Sequence, residues 1–239
     1  VTRRIFPALS LVALALVASA CSSGSSASHA DAVALLTKSE SAVQAQTSLH
    51  FVDKTTIAGK TETIAGQFST SAAQETVSTG GTVQLSVRLV STAIYLQTTS
   101  TSVLESVFSL TAAQAAKATG IWIKVLSTDS QFNTIAQSLT LTQAVGVYYP
   151  TKAAATLGSE FTIGSATVLP LSASTTPATK TTEKSTVNIV KATSLPISGK
   201  LTATQGSTVE HKSASFTGWG TPVVVTAPAS STPLATVKA

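Results

Sequence analysis

Cys21 is the only thiol in this 239-residue chain, and its setting decides what chemistry it can do. Ala18, Ser19 and Ala20 stand directly before it; upstream, an apolar run from Leu9 to Val17 is broken only by Ser10, and Arg3 and Arg4 supply a cationic start. A charged start, a short apolar core and small residues at a cleavage point make a secretory signal. The core is far shorter than the roughly 20 residues a permanent membrane helix needs. Cutting between Ala20 and Cys21 would leave the cysteine as the first residue, where lipoprotein processing attaches a diacylglycerol to the thiol. Val17-Ala18-Ser19-Ala20-Cys21 resembles a lipobox, with Ala18 in place of the usual leucine. Ser22 to Ser28 is then a polar, flexible tether.

Other reactive constellations are not visible. His29, His50 and His211 are far apart in sequence, with no second ligand type at metal spacing, so no metal site is expected. There is no Gly-x-Ser-x-Gly elbow, phosphate-cradling loop or dinucleotide fingerprint. The ten acidic residues are scattered, and no serine stands out beside a base. No catalytic residue and no cofactor are assigned, and a thiol consumed by lipidation cannot be a nucleophile. Thiol chemistry and disulfide staples are both excluded from the exported part.

Composition narrows the remaining classes. The formal charge is +5, two of it from Arg3 and Arg4, and the other basic residues are dispersed, which is no nucleic-acid footprint. Charged residues are only 10% of the chain and hydrophobic ones 43%, while serine and threonine make up nearly a third. Hydroxyls must solvate the surface, and the apolar residues need a large interior. Residues 21–239 are enough for one domain with a sizeable core.

Hydropathy patterning supplies the elements. A helix is expected over His29–Thr47, then a strand carrying Leu49, Phe51 and Ile57, a turn at Gly59-Lys60, and a strand from Glu62 to Thr70. The clearest alternation is Val83 to Leu89, entered through Gly80-Gly81, with Ile94 to Thr98 following. The middle of the chain turns helical: Thr111–Thr119 ending at Gly120, then, after the short strand Ile121–Val125, a helix capped by Asp129 with Phe132, Ile135, Ala136 and Leu139 on one face. Leu141–Leu157 reads as partly helical. Strands are expected again from Phe161, with a Ser/Thr/Pro-rich loop over Leu171–Thr182, then over Ser185–Lys191, Pro196–Ala203, Thr208–Thr217 and Pro222–Thr226. The resulting layout is a signal (1–20), a tether (21–28), a single domain (29–228) and a disordered tail (229–239).

Ser215-Phe216-Thr217-Gly218-Trp219-Gly220-Thr221-Pro222-Val223-Val224-Val225-Thr226-Ala227-Pro228 resembles the closing segment of the LppX/LprA/LprF/LprG family of actinobacterial lipoproteins, whose fold is LolA-like. Further similarities, in matching order, are Ser48-Leu49-His50-Phe51, Ile94-Tyr95-Leu96, Gly120-Ile121-Trp122-Ile123-Lys124-Val125 and Leu195-Pro196-Ile197. The resemblance implies an α+β fold, a strongly curved antiparallel half-barrel with helices covering its concave face around an apolar cavity for acyl chains. Leu49, Phe51, Leu85, Val87 and Leu89 would line that cavity from the sheet, and Phe132, Ile135 and Leu139 from the helices. The implied protein is a monomer outside the cytoplasm, held on the membrane through lipidated Cys21. It binds lipid or glycolipid without covalent chemistry and takes part in its transfer, with an envelope transporter as a candidate partner. The alternative is a non-transporting sensor or scaffold that binds a protein partner.

Overall fold

The computed structural model describes residues 26–175 and 181–239. The signal segment, Ala20, Cys21 and Ser22–Ser25 of the tether lie outside the described residues. Helix α1 spans Ser26–Gln44 and so begins within the stretch read as tether. Ala32, Leu36, Ser39 and Val43 are buried at three-to-four spacing, the stripe a helix presents to a core.

Five strands follow as an antiparallel meander: β1 (Ser48–Ile57), β2 (Lys60–Ser69), β3 (Ala72–Thr79), β4 (Thr82–Val90) and β5 (Ala93–Thr98). The β1–β2 turn is Ala58-Gly59, with φ of 48° and 75°, the two positive values of a tight hairpin that matches strand twist. Two short helices come next, α2 (Thr101–Phe108) and α3 (Ala112–Ala118), the latter started by a capping box between Thr111 and Gln114. Gly120, at φ 79°, ends this helical stretch, and β6 (Ile123–Leu126) returns beside β5.

Helices α4 (Phe132–Ser138) and α5 (Leu141–Gly146) then precede a 3-10 turn at Lys152–Ala154. Asp129 does not cap α4. Its Oδ2 accepts the Leu126 N–H at 2.7 Å and closes the turn after β6, while α4 starts behind Gln131 with no side-chain cap.

The second run of strands is β7 (Thr156–Leu157), β8 (Phe161–Ile163), β9 (Ala166–Thr175), β10 (Thr181–Val190), β11 (Pro196–Gln205) and β12 (Thr208–Thr217). Within the loop expected over Leu171–Thr182, the described residues 171–175 and 181–182 are strand. Leu171 and Ala173 are buried on one face of β9, and Ser172 and Ser174 take the other, so a polar composition conceals a regular alternation. Pro222–Thr226, expected as a strand, runs as irregular chain with Val224 79% exposed.

The tail expected to be disordered is docked. Strand β13 (Thr232–Pro233) pairs in parallel with β6, the Thr232 N–H donates to the Trp122 carbonyl at 2.8 Å, and helix α6 (Leu234–Lys238) buries Leu234 in the main core. One apolar anchor and a free strand edge outweigh the local proline and polar signals.

All of these strands belong to one sheet, in the order β13-β6-β5-β4-β3-β2-β1-β12-β11-β10-β9-β7, with β8 beside β9. The antiparallel pairing of β1 with β12 joins the two halves of the chain. The sheet curves without closing, its ends being β13 and β7. Helices α4 and α5 cover its concave face, which is the α+β half-barrel expected. The main core includes Phe68, Phe108, Tyr148 and Phe216; a smaller cluster puts Ala32 and Leu36 of α1 against Leu171, Val187 and Ile189.

Candidate functional site

Strand register arranges the concave face in rows. Phe216, Phe51, Gly66, Glu75, Val87 and Leu96 stand opposite one another across β12, β1, β2, β3, β4 and β5. Gly66 is the low point of this row: a Cβ there would lie 2.3 Å from Phe51 Cε1, so only glycine lets the Phe51 ring cross the neighbouring strand. That ring meets Phe68 with centroids 4.9 Å apart.

The next row runs Val187, Gly199, Ala214, Asp53, Ile64 and Val77. Tyr148, just after α5, lies on the glycine. A Cβ at Gly199 would come within 2.4 Å of Tyr148 Cγ. The Tyr148 hydroxyl donates to Asp53 Oδ2 at 2.5 Å, and its ring meets Phe216 edge-on at 5.9 Å. The two following rows, nearer the hairpin tips, are more polar: Ser185, Leu201, Lys212, Thr55 and Glu62, then Glu183, Ala203, Glu210 and Ile57.

Between this face and helices α4 and α5 lies a cavity of about 850 Å³, open on one side. It falls in the range of small-molecule sites, ~300–1,000 Å³. Phe51, Phe68, Leu85, Val87 and Leu96 form its apolar wall on the sheet side, with Ile135, Leu139, Ala144 and Val147 opposite. Of the residues expected to line it, Phe51, Leu85, Val87, Ile135 and Leu139 do so. Leu49 is not on the wall; it is fully buried in the core. Leu89 and Phe132 are also off the wall, partly buried against that core. Leu89 shares the parity of Leu85 and Val87 but sits one pair further along β4, opposite Ala73 and Ile94, where the space is filled.

The charged lining was not foreseen from sequence. Among the described residues Asp53, Glu75, Glu183 and Glu210 face the cavity, with Lys212 as the cation beside them, 3.6 Å from Glu210. Burial pushes the Asp53 carboxyl up, against the lowering effects of the Tyr148 bond and Lys212. Burial also raises Glu62, helped by the Asp53 charge. Glu75 is pushed up to about 7 by burial, with Asp53 and Glu62 adding to the effect. Tyr148 is raised by burial and by Asp53, and Tyr149, whose hydroxyl meets Ser39 Oγ at 2.8 Å, is pushed up to about 12, mainly by burial.

A pH dependence of stability follows. Unfolding returns Glu75 to its ordinary value near 4.5, so between that pH and about 7 the folded chain binds the extra proton. Stability is therefore full below about 4.5 and falls as pH rises to about 7, by ~3 kcal/mol at most. Chemical unfolding across this range should show the decline, and Glu75→Gln should flatten it; an unchanged slope in the variant would refute the assignment.

The histidines stay apart. His29 Nδ1 pairs with the Ala155 carbonyl at 2.9 Å, His50 lies against Gly218, and His211 Nδ1 is 3.3 Å from Thr202 Oγ1. Among the described residues no three His, Cys, Asp or Glu side chains are grouped to hold a metal ion, and no helix is long and apolar enough to cross a membrane.

With its curved, unclosed antiparallel sheet and the helices and cavity in its concavity, the chain has the fold of the LppX and LprF lipoproteins. It is similar to the crystal structure of the Mycobacterium tuberculosis lipoprotein LppX, with a TM-score of 0.50 and 14% identity over 82% of this chain and 99% of that one. It is equally similar to LprF from Mycobacterium bovis, with a TM-score of 0.50 and 12% identity over 84% and 98% of the two chains. No family model and no curated protein matches the sequence.

Proposed function

We propose that this protein is an exported lipoprotein, anchored through Cys21, that holds acyl chains of a lipid or glycolipid in the cavity under the sheet and takes part in their transfer within the envelope. The observation that carries the proposal is the cavity of about 850 Å³ with apolar side chains on both walls and an open side. An acyl chain drawn from water into such a lining gains ~0.8 kcal/mol for each buried methylene. No bond needs to be made or broken. A purely partner-binding scaffold has no use for apolar space between sheet and helices; Leu49 and Phe108 are wholly enclosed in the core, whereas Val87 and Leu139, also buried, each turn a face to the cavity. A lipid anchor on Cys21 would keep the domain beside its donor membrane and favour handing lipid on over free ferrying.

Binding is tested by titrating the chain from Cys21 onward with a neutral fluorescent alkyl probe. Saturable enhancement is the expected result, and its absence would contradict the proposal. Anchoring is tested separately by metabolic labelling with palmitate. The wild-type chain should incorporate label and Cys21→Ala should not; equal labelling of the two would refute a lipid on Cys21.

A further inference from the structure

Glu75 is the unexplained group in the cavity. It sits in the row between Gly66 and Val87 with apolar Phe51 and Leu96 beyond them, is partly buried, and faces the cavity. It has no hydrogen-bond or ion-pair partner among the described residues, whereas Asp53 has Tyr148 and Thr55, and Glu210 has Lys212. A carboxyl group partly desolvated beside an apolar wall, with no protein partner, gives up solvation that an incoming cation would replace.

Resting on the lipid-cavity reading, we infer that the polar end of the ligand is cationic, an ammonium-bearing amphiphile whose head pairs with Glu75 and Asp53 while its chain lies against Phe68, Val87 and Leu139. Among the described residues four carboxylates and one lysine face the space, and that lysine is already engaged by Glu210. Anionic heads, carboxylate or phosphate, meet like charge in a partly desolvated site and are disfavoured. An incoming ammonium instead supplies the partner Glu75 lacks.

The inference also fixes a proton count. A cation favours the ionised form of Glu75, so its binding displaces the proton this group holds near neutrality. The other titratable groups facing the space are Asp53 on β1, Glu183 on β10, Glu210 and Lys212 on β12, and Tyr149 beyond α5, with Glu62 on β2 and Tyr148 adjoining Asp53. Opposite Glu75 on its own flanking strands stand Gly66 and Val87, which carry no charge.

The test compares three ligands with one chain, dodecylammonium, dodecyl maltoside and dodecanoate, by calorimetry below their micelle concentrations on the chain from Cys21 onward. Dodecylammonium should bind at least about tenfold more tightly than dodecanoate, and more tightly as pH rises from about 6 to about 8. Glu75→Gln should weaken dodecylammonium about tenfold, remove that pH dependence, and leave dodecyl maltoside within about twofold, which also shows the variant folded. Equal binding of ammonium and carboxylate, or no effect of Glu75→Gln, would overturn the head-group inference while the cavity reading stands. No binding of any of the three would overturn both.

Discussion

A Val87→Trp chain should lose lipid binding while remaining folded. Val87 faces the cavity from the middle of the concave face, opposite Glu75 on one side and Leu96 on the other. Val87 is buried among core residues with one face turned to the cavity, so an indole there projects into that space at an overpacking cost of ~1–3 kcal/mol. There it displaces ligand. Excluding about four methylenes at ~0.8 kcal/mol each removes ~3 kcal/mol, or about a hundredfold in affinity for a neutral alkyl probe. Unchanged probe affinity with native-like unfolding would mean that the chain does not lie where the cavity is.

Tyr148→Ala should have the largest effect on stability. Tyr148 is a fully buried aromatic that lies on Gly199, meets Phe216 edge-on, and satisfies Asp53 through its hydroxyl. Truncating a buried aromatic costs ~3–5 kcal/mol, equivalent in a domain of this size to roughly 10 °C in Tm. The loss has two separable parts. Tyr148→Phe keeps the ring and removes only the donor to Asp53, so it should cost ~1–3 kcal/mol. Urea unfolding of both variants checks this, and equal stability of the two would assign the whole effect to the hydrogen bond and contradict the packing role.

The parts legible in the sequence are those in which side-chain period and burial agree. The alternation of Leu85, Val87 and Leu89 gave the inward parity of β4, and the spacing of Ile135 and Leu139 gave the covering helix face. Strand β3 was missed for a reason that belongs to the site: its inward positions are Ala73, Glu75 and Val77, and a carboxylate at the middle of an apolar face breaks the pattern that identifies a strand. Helix α2 was missed because its buried residues, Val103, Leu104 and Phe108, fill barely two turns. The role of Asp53 depends on Tyr148, which is 95 residues away in sequence. No local signal links them; only the pairing of β1 with β12 and the glycine at 199 bring the ring over the acid. The docked tail likewise depends on the free edge of β6, which exists only once the sheet has formed.

The central claim is that the space under the sheet holds a lipid. Native mass spectrometry of the chain from Cys21 onward, purified from an actinobacterial host, tests it most directly. The account predicts a co-purifying mass that is released as lipid on denaturation and is absent from Val87→Trp. A single apo mass in both chains, with no lipid extractable from either, would contradict it.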